Sequence, residues 1–288
     1  MEHIPVLAEE LIEFIRPKSG GIYVDCTLGG GGHTLAILSV CGGCRVIAFE
    51  VDPEAVRIAL EKLKDYERSV KILKRSYAEL EEALEELGLN EVDGIVADLG
   101  ISSFQVDDPE RGFSFRYDSP LDMRMDPSSS LSAWNVVNEY PLEELERVIR
   151  DYGEERFYRS IAKSIVKSRP MNTTKELVEA IRRGIPAKAR YSRRRHFATK
   201  TFQAIRIEVN KELENLKKLL EASEKVLKKG GRIAVISFHS LEDRIVKRFF
   251  KNSKILKEVT KKPIVPSEEE VSRNPRSRSA KMRIAERI

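Results

Sequence analysis

The feature that most constrains the fold is the run Tyr23–Thr34, YVDCTLGGGGHT. A short apolar segment containing Ile22 and Val24 ends in an acid, Asp25, and four glycines follow, Gly29 to Gly32. A helix is predicted from His33. Strand, acid, glycine turn and helix make the opening unit of a nucleotide-type α/β fold. Glycine admits positive φ and close backbone approach, and a helix N-terminus offers free N–H groups. Taken alone, the glycines also suit a plain tight turn between strand and helix.

The segments around this run extend the pattern. Ile4 to Arg16 is a predicted helix, with Leu7, Leu11 and Ile15 on one face. Arg45–Glu50 is the second predicted strand, and Glu50 lies 19 positions after Gly31. That spacing suits an acid accepting hydrogen bonds from ribose hydroxyls. Asp52-Pro53 caps the next helix. Val70–Arg75 is the third strand, followed by a capping box of Ser76 and Glu79 that places Tyr77 just past a strand end, where a base can pack. The fourth strand, Asp93 to Leu99, delivers Asp98 to the edge where open α/β sheets bind ligands.

The strand–helix rhythm then breaks. Residues 113–127 read as a polar loop, and Leu131–Tyr140, Pro141–Tyr152, Glu155–Ser168 and Thr174–Ile185 as four helices, the last with a capping box of Thr173 and Glu176. We expect an inserted helical domain over 106–198 within a discontinuous sheet domain of 1–105 and 199–288. Phe202 to about Leu227 reads as one long helix stopped by Gly230-Gly231, followed by a strand, Arg232–Phe238, with His239 and Ser240 at its end. Ile255–Thr260 and Lys281–Glu286 are two last strands.

Composition narrows the function. No apolar run approaches the ~20 residues that span a bilayer. The N-terminal stretch lacks a basic region and cleavage site, so no signal peptide is expected. Three cysteines make no disulfide framework, which points to a reducing cytoplasm. Cys41-Gly-Gly-Cys44 lacks the two further ligands a metal site needs, and no metal is expected. Net charge is only +5, but the cations cluster. Arg190–Arg206 holds six Lys/Arg and no acid, and Arg273–Arg283 holds five and no acid, both suited to phosphate backbones. A solvated charged face is the alternative reading of either cluster.

Glycine loop, Glu50 and Asp98 line up at one sheet edge. No Gly-Lys-Ser/Thr follows the glycines, which excludes a P-loop. The dinucleotide fingerprint fits poorly, because its third glycine position is Thr34. A cofactor without phosphates needs no third glycine, and S-adenosylmethionine (SAM) suits Asp25, Gly29 and Gly31.

At this point the sequence resembles the small-subunit (16S) rRNA methyltransferase H family, also called MraW. The stretches that carry the resemblance are His3–Leu7, Val24–Thr34, Asp98–Gln105, Asp107–Asp126, Arg193–Asn210, Ile236–Phe250 and Asn274–Arg287, in order and over nearly the whole length. The resemblance implies a class I SAM-dependent methyltransferase fold, Rossmann-like, with a seven-stranded, mostly parallel sheet and a helical insert after the fourth strand. It implies SAM as cofactor, with contacts from Gly31, Gly32, His33, Glu50, Tyr77, Asp98 and Gln105. Close relatives more often carry Asp at position 50 and Phe at position 77, changes that keep a carboxylate for ribose and an aromatic face for adenine. The implied reaction is methylation of N4 of a cytidine in the decoding region of 16S rRNA, within the small ribosomal subunit. Alternatives are another RNA or a protein as acceptor, a dinucleotide-dependent oxidoreductase, or a non-catalytic RNA-binding or assembly factor that kept the fold.

Transfer to N4 needs an acceptor for charge developing on the nitrogen. Asp98 is the candidate catalytic residue, with Ser102, Asp122 and His239 as alternatives. A duplex hides N4, so the target is unpaired or flipped out. Arg193, Arg194, Arg195, Arg276 and Arg278 are expected to hold RNA phosphates.

Overall fold

The computed structural model describes residues 5–191 and 196–288. The chain divides into two compact units, one formed by Met1–Gly100 with Leu213–Ile288, the other by Ile101–Glu212. The first unit opens with α1 (Ala8–Ile15), β1 (Ile22–Asp25), α2 (Gly32–Val40), β2 (Arg45–Phe49), α3 (Pro53–Lys62), β3 (Val70–Leu73), α4 (Leu80–Glu86) and β4 (Val92–Asp98). The second holds α5 (Ser103–Asp107), α6 (Ala133–Glu139), α7 (Leu142–Asp151), α8 (Tyr158–Lys167), α9 (Thr174–Gly184), α10 (Ala187–Tyr191) and α11 (Thr199–Asn210). From α12 (Glu212–Val226) the chain continues through β5 (Leu227–Ser237), α13 (Ser240–Asn252), β6 (Leu256–Glu258), α14 (Glu268–Arg273) and β7 (Lys281–Arg287).

The seven strands form one sheet in the order β3-β2-β1-β4-β5-β7-β6. β7 runs antiparallel to β5 and β6, and the remaining pairs are parallel. This is the class I SAM-dependent methyltransferase fold. Strand side chains alternate between faces, and the core alternates with them. Val24, Ile47, Phe49, Ile95, Ala97, Ile233 and Val235 pack with apolar residues of α4, α12 and α13. Their neighbours Tyr23, Val46, Ala48, Val96, Ala234 and Ile236 pack with those of α1, α2 and α3. A sheet apolar on both faces is what parallel strands covered by helices require. The helical unit has its own core, including Val136, Leu145, Ile149, Ile161, Ile165, Leu177, Ile181 and Phe202. Among the described residues no helix is long and apolar enough to cross a membrane.

Several local expectations are corrected. The long helix is two, α11 and α12, separated by Lys211 in the left-handed region (φ 50). Asn210 fixes this break: its side chain donates to the Met123 and Arg206 carbonyls and accepts from Met125 N–H. Gly230-Gly231 lies inside β5, not before it. Ser76 does not open a capping box. It caps a 3-10 turn, Tyr77–Glu79, by accepting from Ala78 N–H, while Glu79 is drawn to Arg75 (3.1 Å). Ser102 does form a capping box, with Gln105, and opens the short helix α5. Cys41 and Cys44 face each other across Gly42-Gly43, their α-carbons 5.8 Å apart.

Candidate functional site

In the sheet unit the ends of β1, β2 and β4 bring the glycine turn, Glu50, His33 and Asp98 together. Asp25, fully buried at the end of β1, accepts from Thr34 Oγ1 (2.7 Å) and from Thr27 N–H (3.1 Å). It thereby braces both ends of the turn, and burial raises its carboxyl above the usual range against the pull of His33 and these bonds. Gly29 (φ 49) and Gly31 (φ 78) take the left-handed conformation that only glycine adopts freely. A Cβ on Gly31 would also stand 3.1 Å from Leu63, and one on Gly32 would stand 3.0 Å from Pro5.

Glu50 does more than wait for a ligand. Its Oε2 accepts from Gly29 N–H (2.8 Å), and its Oε1 accepts from Val51 and Asp52 N–H (2.9 Å each). A carboxylate has about four lone-pair sites, so about one remains, on Oε2. Burial raises this carboxyl, partly offset by the three N–H groups. Gly31 N–H is also spent, on the Leu28 carbonyl. With the Gly29 and Gly31 donors both turned inward, the turn is a poor anion cradle.

His33 and Asp98 face each other. His33 Nε2 lies 2.9 Å from the Val6 carbonyl, which can only accept, so Nε2 carries the proton. In the neutral ring Nδ1 is then a bare acceptor, 3.7 Å from Asp98 Oδ2. Asp98 is anchored by its backbone N–H, which donates to Thr27 Oγ1 at 2.6 Å. Its Oδ1 is buried with no hydrogen-bond partner among the described residues. Burial pushes its carboxyl up to about 6; His33 opposes the shift, and Asp25, Glu242 and Glu270 add to it.

The site carries an excess of negative charge. No Lys or Arg is bonded to Asp25, Glu50 or Asp98 among the described residues. A buried, unmatched acceptor and a surplus of carboxylates suit a cation rich in N–H and O–H donors and disfavour a diphosphate. SAM, with its sulfonium and ammonium charges, fits this donor set.

The other expected residues fall as follows. Tyr77 is half-buried on the 3-10 turn after β3, packed against the apolar layer that includes Phe49 and Leu80. Gln105 is buried in the helical unit, its amide oxygen accepting from Ser102 N–H (3.0 Å). Ser102 Oγ accepts in return from Gln105 N–H. Asp122 is engaged in a loop-fixing pair with Arg124 (2.6 and 3.0 Å). Burial would raise its carboxyl, but Arg124 holds it low. His239 caps α13, its Nδ1 accepting from Glu242 N–H. Arg276 and Arg278 are exposed on a 3-10 turn, Pro275–Ser279. Arg193, Arg194 and Arg195 lie outside the described residues. Within the same basic cluster, Arg206 is spent on Glu212 (2.8 and 2.9 Å).

Sequence reasoning missed two supports. Thr27 positions Asp98, as given above. Glu270 on α14 accepts from Leu7 N–H (2.8 Å), where Leu7 takes φ 53 and enters α1. Neither residue type at these positions announces a long-range partner.

Comparisons with known proteins agree with one another. The model of the MraW methylase family matches residues 1–288. Ribosomal RNA small subunit methyltransferase H of Thermosipho melanesiensis is 56% identical over 287 residues, covering 100% of this chain and 98% of that protein. The enzymes of the same name from Thermotoga neapolitana and Petrotoga mobilis are each 53% identical, covering 99% and 97% of this chain and 96% and 99% of their own. Among solved structures, that of PH0851 shares the fold at TM-score 0.50 and 15% identity, over 100% of this chain and 47% of that one.

Proposed function

The chain belongs to the MraW methylase family and is a SAM-dependent methyltransferase, and from that premise we propose that it methylates N4 of one cytidine in the decoding region of 16S rRNA, in the cytoplasm and within the small ribosomal subunit. The observation that carries the site assignment is the unmatched Asp98 Oδ1 beside a proton-poor His33 Nδ1.

SAM, when bound, supplies a sulfonium methyl already activated for in-line displacement. The residues of the chain do the rest. Gly31 and Gly32 let the backbone approach the ligand. The remaining lone pair on Glu50 Oε2 accepts from a ribose hydroxyl, and the Tyr77 ring offers a face for adenine. His33, fixed by the Val6 carbonyl, presents Nδ1 as a further acceptor beside Asp98, and the Thr27 hydroxyl holds Asp98 in place through its backbone N–H. The helical unit reads the RNA, with Arg193, Arg194 and Arg195 on its phosphates, and Arg276 and Arg278 of the sheet unit also hold phosphates.

Asp98 is proposed as the catalytic acceptor. The amino group of cytosine is a weak nucleophile until its developing charge is met by a hydrogen-bond acceptor, and a carboxylate that titrates near 6 is ionised at neutral pH and basic enough to take the proton. Atoms balance: N4 gains the methyl and loses one proton, which passes to Asp98 and then to solvent, while the methyl's bond to the sulfonium would break with its electron pair left on sulfur.

Methyl-labelled SAM, the purified protein and small subunits lacking the modification test the reading. The expected result is label on one cytidine N4 of 16S rRNA. Label on another nucleotide, on protein, or nowhere overturns it.

A further inference from the structure

The helical unit carries a cationic face that the residues assigned above do not include. From Arg156 to Lys175 the sequence holds six cations, Arg156, Arg159, Lys163, Lys167, Arg169 and Lys175, and no acid. The structure separates them. Arg169 turns inward, donating from Nε to the Val137 carbonyl (2.6 Å) and from NH2 to the Tyr140 carbonyl (2.7 Å). Arg159, Lys163 and Lys167 are exposed at four-residue spacing along α8, whose opposite face buries Ile161, Ala162 and Ile165. A four-residue step rises about 6 Å and turns little, so the three charges form a straight ladder. Exposed Arg156 extends it beyond the helix N-terminus.

Two observations set this ladder apart from an ordinary solvated helix face. Several arginines elsewhere in the chain are matched to acids: Arg57 to Glu54 (2.6 Å), half-buried Arg75 to Glu86 (2.8 Å), Arg150 to Asp151 (2.6 Å) and Arg182 to Glu179 (2.7 Å). Arg156, Arg159, Lys163 and Lys167 make no ion pair among the described residues. Of the nearby acids, Asp151 pairs with Arg150 and buried Glu155 accepts from the Phe157 N–H. Helix stability accounts for Lys167, in the last turn, but not for the rest of the pattern. The first turn of α8 carries no acid, and Arg159 there opposes the helix dipole. The Arg159 guanidinium lies 5.4 Å from the centre of the Tyr158 ring, with Arg150 at 5.8 Å from the same ring, which limits its freedom.

We propose that this face of α8, Arg156, Arg159, Lys163 and Lys167, is a further RNA-binding surface that holds backbone phosphates of the substrate rRNA. The inference rests on the reading of the chain as an rRNA methyltransferase. A row of unmatched cations contacts phosphates without reading bases, so the surface supplies affinity and register and leaves the choice of nucleotide to the methyl-transfer site.

The test measures binding of a fluorescent 16S rRNA fragment containing the target cytidine between 50 and 200 mM salt. The variant Arg159→Gln/Lys163→Gln/Lys167→Gln is compared with the parent and with a control, Lys64→Gln/Lys217→Gln/Lys218→Gln, that removes equal charge elsewhere. The expected result is a loss of about tenfold or more in affinity. The slope of log K against log salt becomes shallower by about 2, at about 0.7 per phosphate on a single strand. SAM affinity and melting temperature stay unchanged, and the control retains the parent's slope. Equal affinity and slope in the α8 variant, while the parent binds and methylates the RNA, sinks this surface alone. A parent that neither binds nor methylates the RNA sinks the substrate reading and this surface with it.

Discussion

Asp98, the proposed catalytic acceptor, shows how burial of a carboxyl costs stability. Its carboxyl titrates at 3.8 when unperturbed and at about 6 in the fold. Between those values the folded state binds the proton more tightly than the unfolded chain does. Stability therefore falls as pH rises through that window, by about 3 kcal/mol, and stays at the lower level above it. Asp98→Asn removes the ionisation and can donate to His33 Nδ1. The variant is expected to be more stable than the parent by about 1–3 kcal/mol at pH 8, to converge with it near pH 4, and to transfer no methyl. Urea unfolding at both pH values, with methyl transfer measured in parallel, checks this; a variant less stable than its parent at pH 8 refutes the account. Asp98 and the glycines of the turn were legible in the sequence because each follows a strand end and the strand pattern is strong. The role of Glu50 was only half legible. Spacing from Gly31 locates it, but nothing in spacing reveals that most of its lone pairs are spent on Gly29, Val51 and Asp52.

Elements follow the same rule: what local periodicity encodes could be read, and what a distant partner imposes could not. The capping box of Thr173 and Glu176 is local and is present as expected. The stop between α11 and α12 is not local. The apolar stripe from Phe202 to Leu227 continues across it, and Lys211 gives no warning. The break comes from Asn210, which ties the end of α11 to Met123 and Met125 on the loop after α5. Asn210→Ala leaves the Met123 carbonyl and Met125 N–H without these partners. It should destabilise the protein by about 2–3 kcal/mol, the cost of two partly buried polar groups left unpaired. A urea titration monitoring the helical signal reads this directly, and a change under 0.5 kcal/mol would mean that the loop finds other partners. The cations of α8 escaped notice for a related reason: they interleave with Ile161, Ala162 and Ile165, so the segment reads first as an amphipathic helix. Only the fold shows which cations lack acids.

At the scale of the whole molecule, each unit has its own apolar core, and most of the proposed methyl-donor contacts lie in one of them. The sheet unit supplies Asp98, Glu50, His33, Tyr77 and the glycine turn, whereas α7, α8 and α9 pack around Leu145, Ile149, Ile161, Ile165, Leu177 and Ile181. A ligand stabilises only what it must unbind from before unfolding. SAM at 100 times its dissociation constant therefore adds about 2.7 kcal/mol to openings that disrupt the sheet unit, or about 100-fold in amide protection. The gain should fall on amides such as those of Gly29 and Asp98, which donate to Glu50 and Thr27. Amides inside α7, α8 and α9 should change far less, because their local openings leave the sheet-unit contacts intact. Hydrogen exchange with and without SAM separates the two sets. Equal gains in both would show that the units open as one cooperative body, and RNA seated on α8 would then be coupled to the methyl donor through folding itself, so that each ligand tightens the other.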